Sequence, residues 1–305
     1  MHFADTLVAR MRELGHPLCA GLDPHLDRIP PLFRRGSMER TDPETAAVVE
    51  EFMLAFVERL AGRVAIVKPQ IAFFEQLGAR GMAALERIVA TARERNLAVL
   101  LDAKRGDIGS TAESYARAYL EPGAACESDA LTLSPYLGLD SLAPFMDQAG
   151  SHGRGLFVLA RTSNPGSADY QERILDKGGP LYMTVAESLA PLCDALVGPA
   201  TGWSSLGIVA GATYPEQAEK LRAVLPRALF LVPGYGAQGG SAAEAMRGFV
   251  SGPCGREGGI INSSRGLLFP DAARSVDTAA DWEEAIDEAI GRSIGELSDA
   301  VIQSD

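Results

Sequence analysis

The chain has 305 residues, 47% hydrophobic and 22% charged, with a formal net charge of -12 and a pI near 4.9. That length and apolar content allow one large globular domain with a sizeable core, and the acidic balance argues against a nucleic-acid coat or an anionic membrane surface, both of which reward a basic face. No window approaches the ~18 apolar residues of a membrane span, the charged start MHFADTLVARMRELGH lacks the apolar core of a signal peptide, and Cys19, Cys126, Cys193 and Cys254 show no CxxC pair, so a reduced cytoplasm is expected.

The N-terminal stretch reads as a short amphipathic helix. Apolar runs then recur at 18–22 (LCAGL), 64–68 (VAIVK), 97–102 (LAVLLD), 129–134 (DALTLS), 155–160 (GLFVLA), 206–211 (LGIVAG), 229–233 (LFLVP) and 259–263 (GIINS). Such runs, without strict alternation, suit strands of a parallel sheet covered on both faces. Helical patterns fill intervals at 44–60, 80–95, 111–120, 183–195 and 215–225. Thr41 and Glu44 have a capping-box spacing before the first of these, and Pro43 suits its first turn. Two segments exceed simple loops, 24–43 and 162–204, and 278–301 carries Trp282, Ile286, Ile290, Ile294, Leu297 and Val301 at helical spacing.

Eight strand–helix alternations predict a (β/α)8 TIM barrel in the α/β class, one catalytic domain over 1–305 with loop insertions and a C-terminal helical extension from about 276 to 305. A doubly wound open sheet is the structural alternative. In a barrel the active site lies at the C-terminal ends of the strands, and this chain supplies polar residues there in series. They are Asp23, Lys68, Asp102 with Lys104, Ser134, Arg161 with Thr162 and Ser163, Thr213, and Asn262 with Arg265.

Asp102 and Lys104, two apart in an extended segment, are expected to project to the same side, with Lys68 one strand away. Gly106 then permits a sharp change of direction, leaving Asp107 to point to the barrel edge or into a neighbour. A lone Asp-x-Lys is ordinarily a solvent-screened ion pair, but its place at a strand end argues for chemistry. The loops after strands seven and eight, PGYGAQGG at 233–240 and SSRG at 263–266, occupy the positions where barrels often hold phosphate, with Arg265 able to make a bidentate contact. His2, His16, His25 and His152 share no metal-ligand spacing and are expected in surface or loop roles. No GxSxG elbow or P-loop occurs, and GYGAQGG does not follow the first strand as a dinucleotide fingerprint requires, so metal- and NAD-dependent chemistry is disfavoured.

Taken together the motifs resemble the orotidine 5'-phosphate decarboxylases of the longer bacterial subgroup. LDAKRGDIGSTAESYA at 101–116 is the most specific match, joined by GLDP at 21–24, VKPQ at 67–70, LSPYLG at 133–138, RTSNPGS at 161–167, GATYPE at 211–216 and the two phosphate-side motifs, in order over about residues 15 to 270. The resemblance implies decarboxylation of orotidine 5'-phosphate to uridine 5'-phosphate in pyrimidine biosynthesis, with no cofactor and no metal. It implies that Lys68, Asp102, Lys104 and Asp107 form an alternating charged network in which Lys104 delivers the proton to pyrimidine C6. A homodimer is implied too, with Asp107 and Thr111 crossing the interface into the neighbour's site. Asp23 and Thr111 would then bind ribose hydroxyls, Ser134 the pyrimidine edge, and Gln238 and Arg265 the phosphate, while TSNPG at 162–166 lines the base pocket. Ser264 departs from the glycine usual before the arginine, which leaves a backbone contact there but no assigned role for the side chain.

The chemistry agrees with these residues. A carbanion at C6 lies in the ring plane, outside the π system, so electrostatic stabilisation must replace delocalisation. Three other readings stand beside it: a magnesium-dependent barrel acting on sugar phosphates through the same D-x-K-x-x-D pattern, a Schiff-base aldolase using Lys68 or Lys104, and a catalytically dead binding scaffold.

Overall fold

The structure, a computed structural model, describes residues 2–176, 178–212, 214–236 and 241–302. Its frame is eight parallel strands: β1 (Leu18–Leu22), β2 (Ile66–Pro69), β3 (Ala98–Arg105), β4 (Ala130–Leu133), β5 (Gly155–Arg161), β6 (Ser204–Ala210), β7 (Ala228–Val232) and β8 (Gly259–Ser263). Each pairs with its neighbours in chain order, and β8 closes on β1 with Leu18 opposite Ile261 and Ala20 opposite Ser263. The closed (β/α)8 barrel rules out the open-sheet alternative, and every predicted strand is present within a few residues of its expected limits.

The strand period of two divides the apolar residues between two cores. One set, including Leu18, Ala20, Val67, Leu101, Leu131, Val158, Ile208 and Ile261, packs outward against the helices. The alternate set, including Cys19, Ile66, Leu100, Ala130, Phe157, Val209, Leu231 and Ile260, packs with Phe3, Leu7, Val8 and Met11 of the first helix, α1 (Phe3–Leu14). That helix plugs the N-terminal end of the barrel, with Phe3 set edge-on to Phe157 at 6.2 Å. Moving two residues on from Ile66, Leu100 and Ile260 along the inward face brings Lys68, Asp102 and Asn262, so a polar layer sits on an apolar plug.

The predicted helices form as Pro43–Leu60, Gly78–Glu94, Gly109–Leu120, Leu181–Ala195 and Pro215–Val224, and Ala143–His152 joins them between β4 and β5. Pro43 takes the first turn as expected, but Asp42 rather than Thr41 caps it, accepting from the Glu44 N–H at 2.9 Å, because only the side chain at the true boundary faces the free amides. His16, expected on a surface or loop, is buried before β1, where its ring accepts from the Leu18 N–H. A hairpin of Val250–Gly252 with Gly255–Glu257, not among the predicted elements, lies between β7 and β8. All four cysteines are free thiols. Among the described residues no helix is long and apolar enough to cross a membrane.

The C-terminal helix Ala279–Ile302 buries Trp282, Ile286, Ile290, Leu297 and Val301, with Ile294 half-buried at the edge. Trp282 meets Phe33 at 5.0 Å and Phe52 at 5.9 Å, both edge-on, so the extension, the 24–43 insertion and the helix Pro43–Leu60 share one aromatic cluster. Replacing Trp282 by alanine should therefore lower stability by about 3–5 kcal/mol. Urea denaturation checks this; a loss under about 1 kcal/mol, as at an exposed position, would show the extension to be loosely attached.

Candidate active site

A cleft of about 550 Å³ opens at the C-terminal mouth of the barrel, within the range that accommodates small-molecule ligands. Leu159, Val209 and Leu231 of the inner core form its floor. Asp23, Lys68, Gln70, Asp102 and Lys104 line it from β1 to β3, and Thr162, Ser163, Asn164, Asn262 and Arg265 line it from β5 and β8.

Asp102 is the centre of the charged side. Its Oδ2 accepts from Lys68 Nζ at 2.9 Å and from Gln70 Nε2 at 3.0 Å. Its Oδ1 accepts from Lys104 Nζ at 2.6 Å and from Thr132 Oγ1 at 2.9 Å. Burial alone would push this carboxyl up, but the two ammonium groups outweigh it and hold Asp102 well below the usual carboxylate range. Burial would likewise depress Lys68, and the carboxylates of Asp102 and Asp23 reverse that, holding it above the ordinary lysine value. Nearby Cys19 is pushed up to about 12 by burial and stays a neutral thiol. The two lysines differ in access: the Lys68 side chain is 6% exposed and that of Lys104 46%.

Lys104 does reach Asp102, but not through an extended segment. Its φ is 48°, in the left-handed region, and the β3–β4 ladder slips from Leu101↔Leu131 to Arg105↔Leu133 around it. The extra residues of β3 bulge there and swing the Lys104 side chain back over the carboxylate. Gly106 likewise serves a close approach rather than a reversal, since a Cβ there would come within 2.9 Å of the Ser134 carbonyl oxygen.

The other expected residues divide. Asp23 lines the cleft with its Oδ1 buried and, among the described residues, lacking a hydrogen-bond partner, an acceptor left open. Arg265 lines it at the start of the short helix Arg265–Leu268 and makes no ion pair among the described residues. Ser264 sits beside it, its Oγ accepting from Asn262 Nδ2 at 3.2 Å, in space that exists only because residue 21 is glycine; a Cβ there would lie 1.8 Å from that Oγ. Ser134, expected at the pyrimidine edge, does not line the cleft; its N–H continues the ladder to the Arg105 carbonyl at 2.8 Å, and Thr162, Ser163 and Asn164 hold the cleft wall instead. Asp107 and Thr111 lie outside this cleft, Asp107 accepting from the Ile108 N–H at 2.8 Å and Thr111 exposed in the first turn of Gly109–Leu120. Gln238 and Thr213 lie outside the described residues.

Arg161 is not a cleft residue but a brace. Buried at the end of β5, its guanidinium donates to Gln217 Oε1 and Glu172 Oε1, both at 2.5 Å, and to Gln171 Oε1 at 3.2 Å, and it lies 3.8 Å from the Tyr214 ring centroid. Gln171 in turn accepts from the Thr162 N–H and donates to Thr162 Oγ1, which holds the loop against the cleft. On the far side Tyr235 donates to Glu296 Oε2 at 2.5 Å, tying the loop after β7 to the C-terminal helix. Gln70, Thr132 and Gln171 escape sequence reasoning; the only signal for Thr132 is a hydroxyl inside an otherwise apolar strand. Among the described residues no group of three or more His, Cys, Asp or Glu side chains is placed to hold a metal ion.

The model of the Orotidine 5'-phosphate decarboxylase / HUMPS family matches residues 16–276. The chain belongs to this family. It is 42% identical over 293 residues to the orotidine 5'-phosphate decarboxylase of Rhodopirellula baltica, covering 94% of this chain and 95% of that one. The corresponding protein of Haloarcula marismortui is 39% identical with 99% of each chain covered. Among solved structures, Leishmania donovani OMP decarboxylase superposes with a TM-score of 0.71 at 34% identity, covering 98% of this chain and 99% of that one.

The charge pair at the centre of this family member has a stability signature. Asp102, depressed in the folded state, adds stability that is present above the ordinary carboxylate value of about 3.9 and lost as pH falls through its folded value; Lys68, raised, adds stability present below about 10.4 and lost as pH rises through its own. Asp102→Asn removes the carboxylate bonded to buried Lys68, leaving only the influence of Asp23, and should cost about 3–5 kcal/mol near neutral pH. Burial then depresses Lys68, so the unfolded chain binds more protons and the variant should gain stability relative to wild type as pH rises from about 7 to about 9.5. Urea denaturation at both values measures this, and a pH-independent difference would show that Lys68 does not depend on Asp102.

Proposed function

We propose that this chain decarboxylates orotidine 5'-phosphate to uridine 5'-phosphate and carbon dioxide, with its own side chains and no cofactor, in the cytoplasm. The observation that carries the mechanism is the buried Asp102 carboxylate clasped by two ammonium groups at the barrel mouth. Loss of carbon dioxide breaks the C6–carboxyl bond and leaves its electron pair at C6, in the ring plane. A cation beside that carbon stabilises the developing charge, and its proton then completes the C6–H bond. Lys104, whose amine is reachable from the cleft, suits this role; Lys68, enclosed beneath, holds Asp102 ionised.

Asp23 with its open oxygen suits a ribose hydroxyl, Thr162, Ser163 and Asn164 suit the edge of the pyrimidine in place of Ser134, and Arg265 with Gln238 suits the phosphate. Binding energy from the remote phosphate offsets the strain of setting a substrate carboxylate near Asp102. Asp107 and Thr111, which lie outside their own chain's cleft, suit the neighbour's site in a homodimer. Exposed Ile108, Tyr136, Leu137 and Leu139 on the adjoining loops after β3 and β4 support such a contact.

Absorbance-monitored conversion of orotidine 5'-phosphate with a chelator present tests the reaction. Full activity is expected; no turnover by the folded protein, or loss only with chelator, would overturn the proposal. Lys104→Ala should nearly abolish kcat while still binding uridine 5'-phosphate, whereas Arg265→Ala should lose about 2–4 kcal/mol in kcat/KM, chiefly through substrate use. Mixing inactive Lys104→Ala and Asp107→Ala subunits should restore activity, because a hybrid dimer with shared sites keeps one intact; mixtures that stay inactive would place Asp107 outside the partner's chemistry.

A further inference from the structure

Asp102 holds a cation on each oxygen, and each oxygen also takes a neutral donor. On Oδ1 that donor is Thr132, which is fully buried in β4 beneath the cleft and outside its lining. The same Oγ1 accepts the backbone N–H of Lys104 at 2.9 Å. The direction of both bonds is forced by chemistry: an ionised carboxylate only accepts and an amide N–H only donates, so the single hydroxyl proton goes to Asp102 and a lone pair takes Lys104.

We propose that Thr132 is a positioning residue for the decarboxylation, its hydroxyl locking the left-handed backbone of Lys104 to the Asp102 carboxylate so that the Lys104 amine is held in place before substrate arrives. The inference rests on the function proposed above. The bulge in β3 sets residues 102–104 against Thr132 alone, between the pairs Leu101↔Leu131 and Arg105↔Leu133. The Lys104 N–H falls at this break in the register and is taken up by the Thr132 hydroxyl. A non-glycine residue at φ 48° is strained and persists only where its surroundings hold it. Threonine suits the task because its β-branch restricts χ1 and fixes where the hydroxyl points. Gln70, the neutral donor on Oδ2, holds only the carboxylate. Among the described residues Thr132 alone hydrogen-bonds both partners of the Asp102–Lys104 pair.

Thr132→Val keeps the shape and removes the hydroxyl, while Thr132→Ser keeps the hydroxyl. In the valine variant kcat should fall about ten- to a hundredfold, the range for losing a hydrogen bond to a charged group, with KM and affinity for uridine 5'-phosphate within about twofold of wild type. The serine variant should recover most of kcat. A merely structural residue would lower the thermal midpoint without this split and without rescue by serine. Wild-type kcat in the valine variant, a loss that falls on KM and product affinity, or a loss that serine does not repair would each overturn the inference. If the valine variant does not fold, Thr132→Ala takes its place with the same expected outcomes. A crystal structure of the hydroxyl-less variant gives a readout independent of turnover: Lys104 should leave the left-handed region and its Nζ should part from Asp102 Oδ1, and an unchanged Lys104 would overturn the inference. Wild-type protein inactive on orotidine 5'-phosphate would instead refute the function, with the crystallographic arm still deciding the role of Thr132.

Discussion

A carboxylate removed from water must be paired or it neutralises, and the mouth of this barrel is organised around meeting that requirement at Asp102. Three adjacent strands contribute: β2 brings Lys68 and ends beside Gln70, β3 brings Asp102 and, after its bulge, Lys104, and β4 brings Thr132. Each group alone would be costly to bury. Together they form a closed set of charges and donors whose one accessible cation faces the cleft.

The remainder of the fold makes that set rigid and leaves the opposite wall open. Below it the inner core is apolar and packs against α1, so the charges rest on an apolar layer. Across from it the loop after β5 is stiffened by buried Arg161, and the loop after β7 is tied to the C-terminal helix through Tyr235 and Glu296. The extension is thereby linked to the site as well as to the aromatic cluster around Trp282. The charged cluster is concentrated on one wall, and the other carries neutral donors and acceptors with the cation Arg265, an arrangement suited to a ligand with a reacting end and a remote anionic end.

Much of this was legible in the residues. Apolar runs separated by helical patterns revealed the parallel strands, because burial on both faces leaves a continuous apolar composition, and their number, eight, pointed to a barrel. Lys68, Asp102, Asp23 and Arg265 were legible because charged residues at strand ends gather at the C-terminal mouth of a barrel. The failures are equally physical. Thr41 and Asp42 are both competent caps, and only the exact boundary selects between them. Thr132 and Gln70 carry no charge, and in sequence a buried hydroxyl in an apolar strand is indistinguishable from a tolerated one. Ser134 and Ser163 are both serines just beyond strand ends; the differing exits of β4 and β5 set only Ser163 against the cleft.

By itself the sequence determined an α/β chain of eight strand–helix alternations, the strands that bear the chemistry and the charged groups at their ends, since each follows from local composition; that the sheet closes, β8 on β1, is a matter of tertiary structure. Only the tertiary structure decided how those groups meet. The bulge that turns Lys104 onto Asp102, the hydroxyl of Thr132 that joins them and the space above Gly21 that admits Ser264 all depend on register between strands distant in the chain. A shift of one residue in that register would reverse every side chain it carries, and nothing local in the sequence records which register the closed barrel selects.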